Sequence, residues 1–543
     1  MRIEAGTARI ERRAIERAGE VVEVLAPSSW TNARVEAWLD WAGGDPTDLP
    51  AEIFRFAELL VQRGEAAGLF DSPRARATFR RDLGALMLSG AVALVASRPG
   101  AQTPAVVDAS QAGALRRIET ARARRRGQLA AEVAAKALAA RLQSVIEAVH
   151  RCEGDPAACA DPASNLTLAR AAEAARAAGA SDAMILDAIT LAKTGESAWT
   201  AEPPQFPQRA PALIVAIEPS AMDSPAASGL AAAAWEGGAA AAAFSIAAAD
   251  ALAAASGAVR GAVNVLAFGW GDEFDAAGFA AAVGLAATAL AALRPKPALL
   301  GLAGVAEWLV AQGVAYDSHE GRAAVRGLYA RAAEAMRASA APLSGGLAVF
   351  DDAELALLLG GARVSAEPWT GPASVAETAE GTLLRTLSET ALAGFAKLGV
   401  DATAARAHVL GRRELSGAPG VDHAALRALG FTDHEISAVE AALPGAARLS
   451  EAFAQGVGEG FLRDVLGISP DELAHSGFDL LARAGFTVGQ VAEAEAWALG
   501  AGGLAEADFL TPEQQQVLAS ADELGPAPYL ALLAVLQPVR DAP

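Results

Sequence analysis

Gly411-Arg412-Arg413-Glu414-Leu415-Ser416-Gly417-Ala418-Pro419-Gly420-Val421-Asp422-His423, continuing into Gly430-Phe431-Thr432-Asp433, interrupts an otherwise alanine-rich helical sequence with glycines and a proline. Glycine reaches left-handed backbone conformations and proline pre-sets a turn, so a shaped loop followed by short helices is expected here. The pattern returns as Gly485-Phe486-Thr487, and Glu440-Ala441 and Glu495-Ala496 each follow ten positions after the respective glycine. Thr432 and Thr487 stand where a side-chain oxygen would accept a free first-turn amide. A pair of small helical units that bury Phe431 and Phe486 accounts for this weak internal repeat.

Outward from this stretch, 53% of the 543 residues are apolar but only 5% are aromatic, and much of the apolar share is alanine. Alanine favours helix and disfavours strand, so the expected fold class is mainly α with a minor α/β part. The length suits three or four domains. They are expected as an N-terminal helical region at 1–110, a helical segment with an Asp-Pro-bearing insert at 111–210, a mixed region at 211–400, and small helical units at 401–543. The formal net charge of −20, from 64 acidic and 44 basic residues, repels polyanions and disfavours a sequence-wide nucleic-acid binder. Arg116, Arg117, Arg122, Arg124, Arg125 and Arg126 read as a solvated helix face. The amino terminus has no apolar signal region. The apolar run 227–268 is broken by Glu236, Asp250 and Arg260, so no membrane span is expected. Two cysteines do not build a disulfide framework, and the cytoplasm is the default compartment.

Residues 1–20 are expected as a charged helix or frayed end, and 22–42 as a short strand, a turn at Ala26-Pro27 and a helix capped by Ser29 or Thr31. Trp30, Trp38 and Trp41 read as a packing cluster. Helical spacing covers 51–90, a proline-bearing boundary 100–110, and a long helix 111–148. Two short helices joined at Gly179 follow, the second capped by Ser181-Asp182. Pro211–Ile217 is a strand candidate, 276–292 a helix, and Leu299–Val314 a glycine-punctuated helix. Tyr316-Asp317-Ser318 caps a helix over 319–339, a short helix lies at 351–358, and 376–410 is helical.

Chemistry-bearing residues are sparse. His150, His319, His408, His423, His434 and His475 form neither a HExxH nor a zinc-finger pattern. One histidine, His150, near Cys152 and Cys159 is a poor structural zinc set, which wants four compact ligands, so no metal ligands are assigned. His423 and His434 flank one short loop and helix and can approach each other, but no nearby cysteine or serine completes a nucleophilic arrangement. No phosphate-binding GxxxxGK[ST] loop occurs, and Gly301-Leu302-Ala303-Gly304 is a generic packing signal. Asp272-Glu273 and Asp351-Asp352 suit helix starts. No catalytic residue is assigned, and no cofactor-binding residue is identified.

Several segments, in order, carry a family resemblance. LLGLAGVAEWLVAQGVAYDSHEGRAAVRGLYARAAEAM (299–336), LSGAPGVDHAALRALGFTDHEISAVEAAL (415–443) and FLRDVLGISPDELAHSGFDLLARAGFTVGQVAEAEAWALG (461–500) resemble segments of the adenosylcobalamin-dependent ribonucleotide reductases. Upstream, DPASNLTLARAAEAARAAGAS (161–181) is similar to that family's insert, and 244–257 and 261–275 look like thinned barrel segments. The resemblance implies that 211–400 is a reduced remnant of a reductase-like α/β barrel with helical segments appended. It also implies chemistry that this chain does not match. Family members use a thiyl-forming cysteine with an asparagine and a glutamate nearby, a reducing cysteine pair, and a CxxC near the carboxyl end. Here Val263-Asn264-Val265-Leu266 stands where a cysteine-bearing segment is expected, and Cys152 and Cys159 lie in the insert-like region.

The expectation is therefore a catalytically inactive reductase-like protein that needs no cofactor and serves as a binding or regulatory partner, in a complex with another protein or as a homo-oligomer. One alternative is an authentic adenosylcobalamin-dependent reductase of ribonucleoside diphosphates. The other is an unrelated enzyme on the same scaffold, marked by perturbed carboxylates or histidines in a pocket, with His423, Asp433 and His434 the first residues to inspect.

Overall fold

The computed structural model describes residues 9–17, 20–44, 46–95, 104–152, 154–199, 211–254, 258–293, 297–339, 343, 345–377, 383–446, 448–469, 472, 479–505 and 507–539. The chain forms two compact units, each assembled from separated segments. The first takes residues 1–121, 210–410 and 501–543, and the second takes 122–209 and 411–500. Helix predominates, with a minor part in mixed sheets, as the composition suggests. No described helix is long and apolar enough to cross a membrane.

The first unit opens with a hairpin of β1 (Ile10–Arg17) and β2 (Glu20–Pro27), paired antiparallel from Ile10 opposite Pro27 to Arg17 opposite Glu20. This corrects the helical reading of the charged leader. Its glutamate–arginine alternation serves a two-residue repeat, with Ile15 and Val24 buried and Arg12 bonded to Glu23 at 2.8 Å across the strands. Thr31 then caps the helix Asn32–Ala42. Trp30 and Trp38 are buried, and all three indoles of the cluster have carbonyl acceptors. Trp30 donates to Leu88, Trp38 to Leu358 and Trp41 to Leu94. Packing is thus the role of this cluster, and Arg34 stacks over Trp30 at 4.4 Å. Burial lowers the Arg34 guanidinium to about 10.

Two helices, Leu49–Ala66 and Pro73–Ser89, lead into β3 (Val92–Val95), and the proline-bearing boundary contains a strand, β4 (Ala105–Asp108). β5 (Leu213–Ala216) falls where the sequence placed it, and β6 (Ala240–Ala243) is four alanines. Their low strand propensity is overridden by position, because β6 completes a parallel sheet ordered β4-β5-β6. β7 (Val259–Asn264), β8 (Ala298–Ala303) and β9 (Gly346–Leu347) run parallel to one another, with β3 added antiparallel to β7. All six residues of β8 are buried, as expected for a parallel strand covered on both faces. The helix Ala276–Ala292 carries the crossover from β7 to β8, and its buried Ala282, Ala286 and Ala289 leave room for close approach.

Two further expectations are corrected. Leu299–Val314 is not one helix but β8, a left-handed Gly304 and the helix Val305–Gln312. Residues 376–410 begin as a hairpin, β10 (Ala373–Glu377) with β11 (Leu383–Leu387), before the helices Glu389–Leu398 and Ala402–Leu410. Both errors share a cause: short apolar runs have no period that separates strand from buried helix.

In the second unit, one buried cluster joins the end of the helix Ala114–His150 to the helices Leu166–Ala177 and Asp182–Lys193. Ser181 caps the last of these, as expected. Residues 415–499 build another cluster, around Phe431, Leu449 and Phe453.

Trp38→Ala removes a side chain with no exposed surface and one of the two donors to the Leu358 carbonyl, the other being Arg34 Nε. The substitution is expected to destabilise the first unit by about 3–5 kcal/mol, measured by denaturant unfolding.

Candidate functional site

In the first unit two carboxyls and two phenols raised by burial gather beyond the carboxyl end of β8, the end at which open α/β sheets present ligand sites. β8 finishes at Ala303, and Gly304 turns the chain with φ 70°. A Cβ at Gly304 would stand 3.1 Å from Asn264 Oδ1 and 3.0 Å from the Leu266 side chain, so a side chain there would be tightly placed as well as strained in the backbone. Asn264 ends β7, where its Oδ1 accepts from the Leu266 amide at 3.1 Å and its amide nitrogen donates to the Gly90 carbonyl. It holds a turn together, with hydrogen-bond partners on both sides.

The Gly304 amide donates to the Arg363 carbonyl at 2.9 Å, which brings the segment 363–367 beside the start of the helix Val305–Gln312. Arg363 ion-pairs with Glu367, and Glu307 lies within the field of the same guanidinium. Burial raises both carboxyls above the ordinary value, while Arg363 pulls each back down. The Tyr316 hydroxyl donates to the Ala366 carbonyl at 2.5 Å, and Tyr529 bonds Ser365. Burial raises both phenols as well, and each feels Tyr329. All three tyrosines of the chain therefore meet at this place. Neither Glu307 nor Glu367 was singled out from the sequence. The only available signal was the strand–glycine–helix turn at 299–307, concealed by reading it as one helix.

The acidic pairs have local work. Asp352 caps the helix Ala353–Leu358 through the Glu354 and Leu355 amides, and its second oxygen meets Arg260 at 2.8 Å. Glu273 ends a short 3-10 turn, Gly271–Glu273.

In the second unit the loop at 411–423 closes the carboxyl end of the helix Val488–Leu499. Arg412 and Arg413 donate backbone amides to the Trp497 and Ala498 carbonyls at 2.9 and 3.0 Å. The Arg412 guanidinium stacks on Trp497 at 3.6 Å. Arg413 has φ 58°, a left-handed conformation that side chains disfavour, and Gly411, Gly417 and Gly420 take the same region. His423 Nε2 lies 2.7 Å from Glu440 Oε1, which also accepts from the Leu415 amide at 2.7 Å.

His423 and His434 therefore have separate surroundings. His434 is exposed on the first turn of the helix Asp433–Ala442, and Asp433 pairs with Arg427. The other histidines are dispersed. His150 faces the Glu196 carbonyl, His319 is exposed at a helix start, and His408 packs edge-on against Phe509. His475 lies outside the described residues. Among the described residues, no group of three or more His, Cys, Asp or Glu side chains could hold a metal ion.

The internal repeat has the caps and the glutamates that its spacing suggested, but its phenylalanines differ: Phe431 is buried, whereas Phe486 is only half-buried. Thr432 with Glu435 and Thr487 with Gln490 form reciprocal capping boxes. Each repeated glutamate holds a distant amide, Glu440 that of Leu415 and Glu495 that of Leu449. The helix Leu449–Gly456 has no N-cap side chain accepting its first amides, so Glu495 supplies the acceptor for the Leu449 amide, adding a second carboxylate to that of Glu451 in the first turn. The two cysteines, both in the second unit, are joined as a disulfide with Cα atoms 5.5 Å apart.

No family model matches the chain. Two curated proteins, each described as a vitamin B12-dependent ribonucleotide reductase, match 120 of its residues, or 22% of its length. One, from Bradyrhizobium diazoefficiens, is 40% identical, and the other, from Agrobacterium fabrum, is 35% identical. The matched stretch is 10% and 9% of those proteins, so the chain spans about a tenth of the length of the relatives it matches. The chain is a distant, partial-coverage homologue of that family.

Two outcomes are expected. Glu495→Ala leaves the Leu449 amide without its carboxylate and should cost the second unit about 1–2 kcal/mol in denaturant unfolding. The folded chain retains protons on Glu307 and Glu367 that the unfolded chain releases near the ordinary 4.5. Their contribution to stability is thus complete below that pH and falls as pH rises through the raised folded values. Glu307→Gln should flatten this decline when thermal unfolding is followed across a pH series.

Proposed function

We propose that this chain is a catalytically silent relative of the cobalamin-dependent ribonucleotide reductases, with a reduced remnant of the barrel in residues 211–400, and that it acts by binding a protein partner. The observation that carries the proposal is the fate of the sulfur. Cys152 and Cys159 are the only cysteines of the chain, and they are bonded to each other in a helical unit to which none of the described strands belongs. Radical reduction of a ribose needs one thiol to carry the radical and two more to supply electrons, and two cysteines cannot fill three roles. Asn264, in the segment where that thiol is expected, is engaged in holding a turn.

The test is titration calorimetry with adenosylcobalamin and with ribonucleotides, alongside a reduction assay. No deoxyribonucleotide is expected, and cobalamin-dependent turnover would overturn the proposal. Mass measurement across concentration separates self-association from a different partner chain.

One observation favours a second reading, an unrelated enzyme on this scaffold. Glu307 and Glu367 are carboxyls raised by burial at a strand end, a setting suited to holding and delivering a proton. Under the first reading Glu307→Gln leaves partner binding intact, whereas under the second it abolishes turnover.

A further inference from the structure

The disulfide in the second unit is unsymmetrical. Cys159 is 4% exposed, whereas Cys152 is only half-buried, in the loop that follows the helix Ala114–His150. Gly154 stands beside the pair and is exposed. A Cβ there would lie 3.4 Å from the Cys159 sulfur and 3.8 Å from that of Cys152, so the absence of a side chain leaves the bond approachable from that direction.

The surrounding loop is held by other means. Asp155 accepts from the Ala157 and Ala158 amides, and its carbonyl accepts from the Cys159 amide at 2.9 Å. Asn165, 8% exposed, donates to the Ala148 and Cys159 carbonyls at 3.0 and 2.8 Å and accepts from the Leu168 amide. A covalent link across seven positions also restrains the unfolded chain less than a long-range one would. Reduction therefore leaves the local fold in place. The Cys152 carbonyl, 3.4 Å from the Cys159 sulfur, is ready to accept from the thiol that forms.

We propose that Cys152–Cys159 is an exchangeable disulfide and Cys152 a reversible S-thiolation site, with a low-molecular-weight thiol attacking Cys152 and Cys159 as the sulfur released. The incoming thiolate forms a bond to the Cys152 sulfur as the Cys152–Cys159 bond breaks. Cys159 leaves with the electron pair and takes a proton from water. In the reverse step the Cys159 thiolate attacks the mixed disulfide and expels the small thiol. Access selects the sulfur attacked, because Cys159 is covered. The inference stands independently of the function proposed above.

The experiment incubates the folded full chain with reduced glutathione, quenches with acid, and maps adducts by intact and peptide mass. The expected result is one glutathione on Cys152, an unchanged far-UV circular dichroism spectrum, and return of the internal disulfide when glutathione is removed. Cys159→Ser and Cys152→Ser have no internal disulfide to exchange and are incubated instead with oxidised glutathione, whose own disulfide supplies one half to the protein and releases the other as reduced glutathione. Cys159→Ser should then accumulate the Cys152 adduct and Cys152→Ser should form none, and Gly154→Val, treated with reduced glutathione like the wild-type chain, should form its adduct several-fold more slowly. An adduct that appears only in denaturant, falls on Cys159, or divides evenly between the two cysteines would overturn the proposal. Loss of helical signal on reduction of the wild-type chain would do the same.

Discussion

The left-handed turn at Gly304 is the constraint on which the strand-end arrangement of the first unit rests. It ends β8, starts the helix that carries Glu307, and directs an amide to the Arg363 carbonyl. Its space is taken up by Asn264 and Leu266 from the end of β7. With one backbone amide and no side chain, the turn sets the distance between two strand ends and the segment that bears Arg363 and Glu367. A larger residue would press on the Asn264 and Leu266 side chains and strain the backbone as well.

The second unit manages with a different economy. Apart from Ala114–His150, its described helices run to 12 residues at most, so much of each lies within a turn of an end, where backbone groups lack intrahelical partners. Capping boxes satisfy some of these amides and Glu495 reaches across to another, while Glu440 holds the Leu415 amide in the loop. The loop amides of Arg412 and Arg413 close the opposite end of one helix. A carboxylate at a helix start and an arginine stacked at a helix finish both complement the peptide dipoles they face.

Features with a local cause were legible in the sequence. The caps at Thr31, Ser181, Ser318, Thr432 and Thr487, and the spacing of the two glutamates, depend on residues within a few positions of one another. Strands were harder. β6 is four alanines and becomes a strand only because β5 lies beside it, while β8 and its helix merge into one apolar run. The strand-end carboxyls were illegible for a related reason. Glu307 and Glu367 are sixty positions apart in sequence and are joined through Arg363, so no spacing rule connects them. The neighbouring histidines at 423 and 434 looked more suggestive and have separate partners.

Assembly of the first unit from three stretches has a consequence for biosynthesis. The Trp369 indole donates to the Ala519 carbonyl, the Ala521 amide donates to Trp369, and Leu532 and Leu536 fill the same core as Trp38 and Leu300. A ribosome completes the residues up to 121 on the order of tens of seconds before it reaches those near 520. The nascent polypeptide must keep the core surface that Leu532 and Leu536 will complete from sticking for that whole interval, while residues 411–500 have their local partners almost at once.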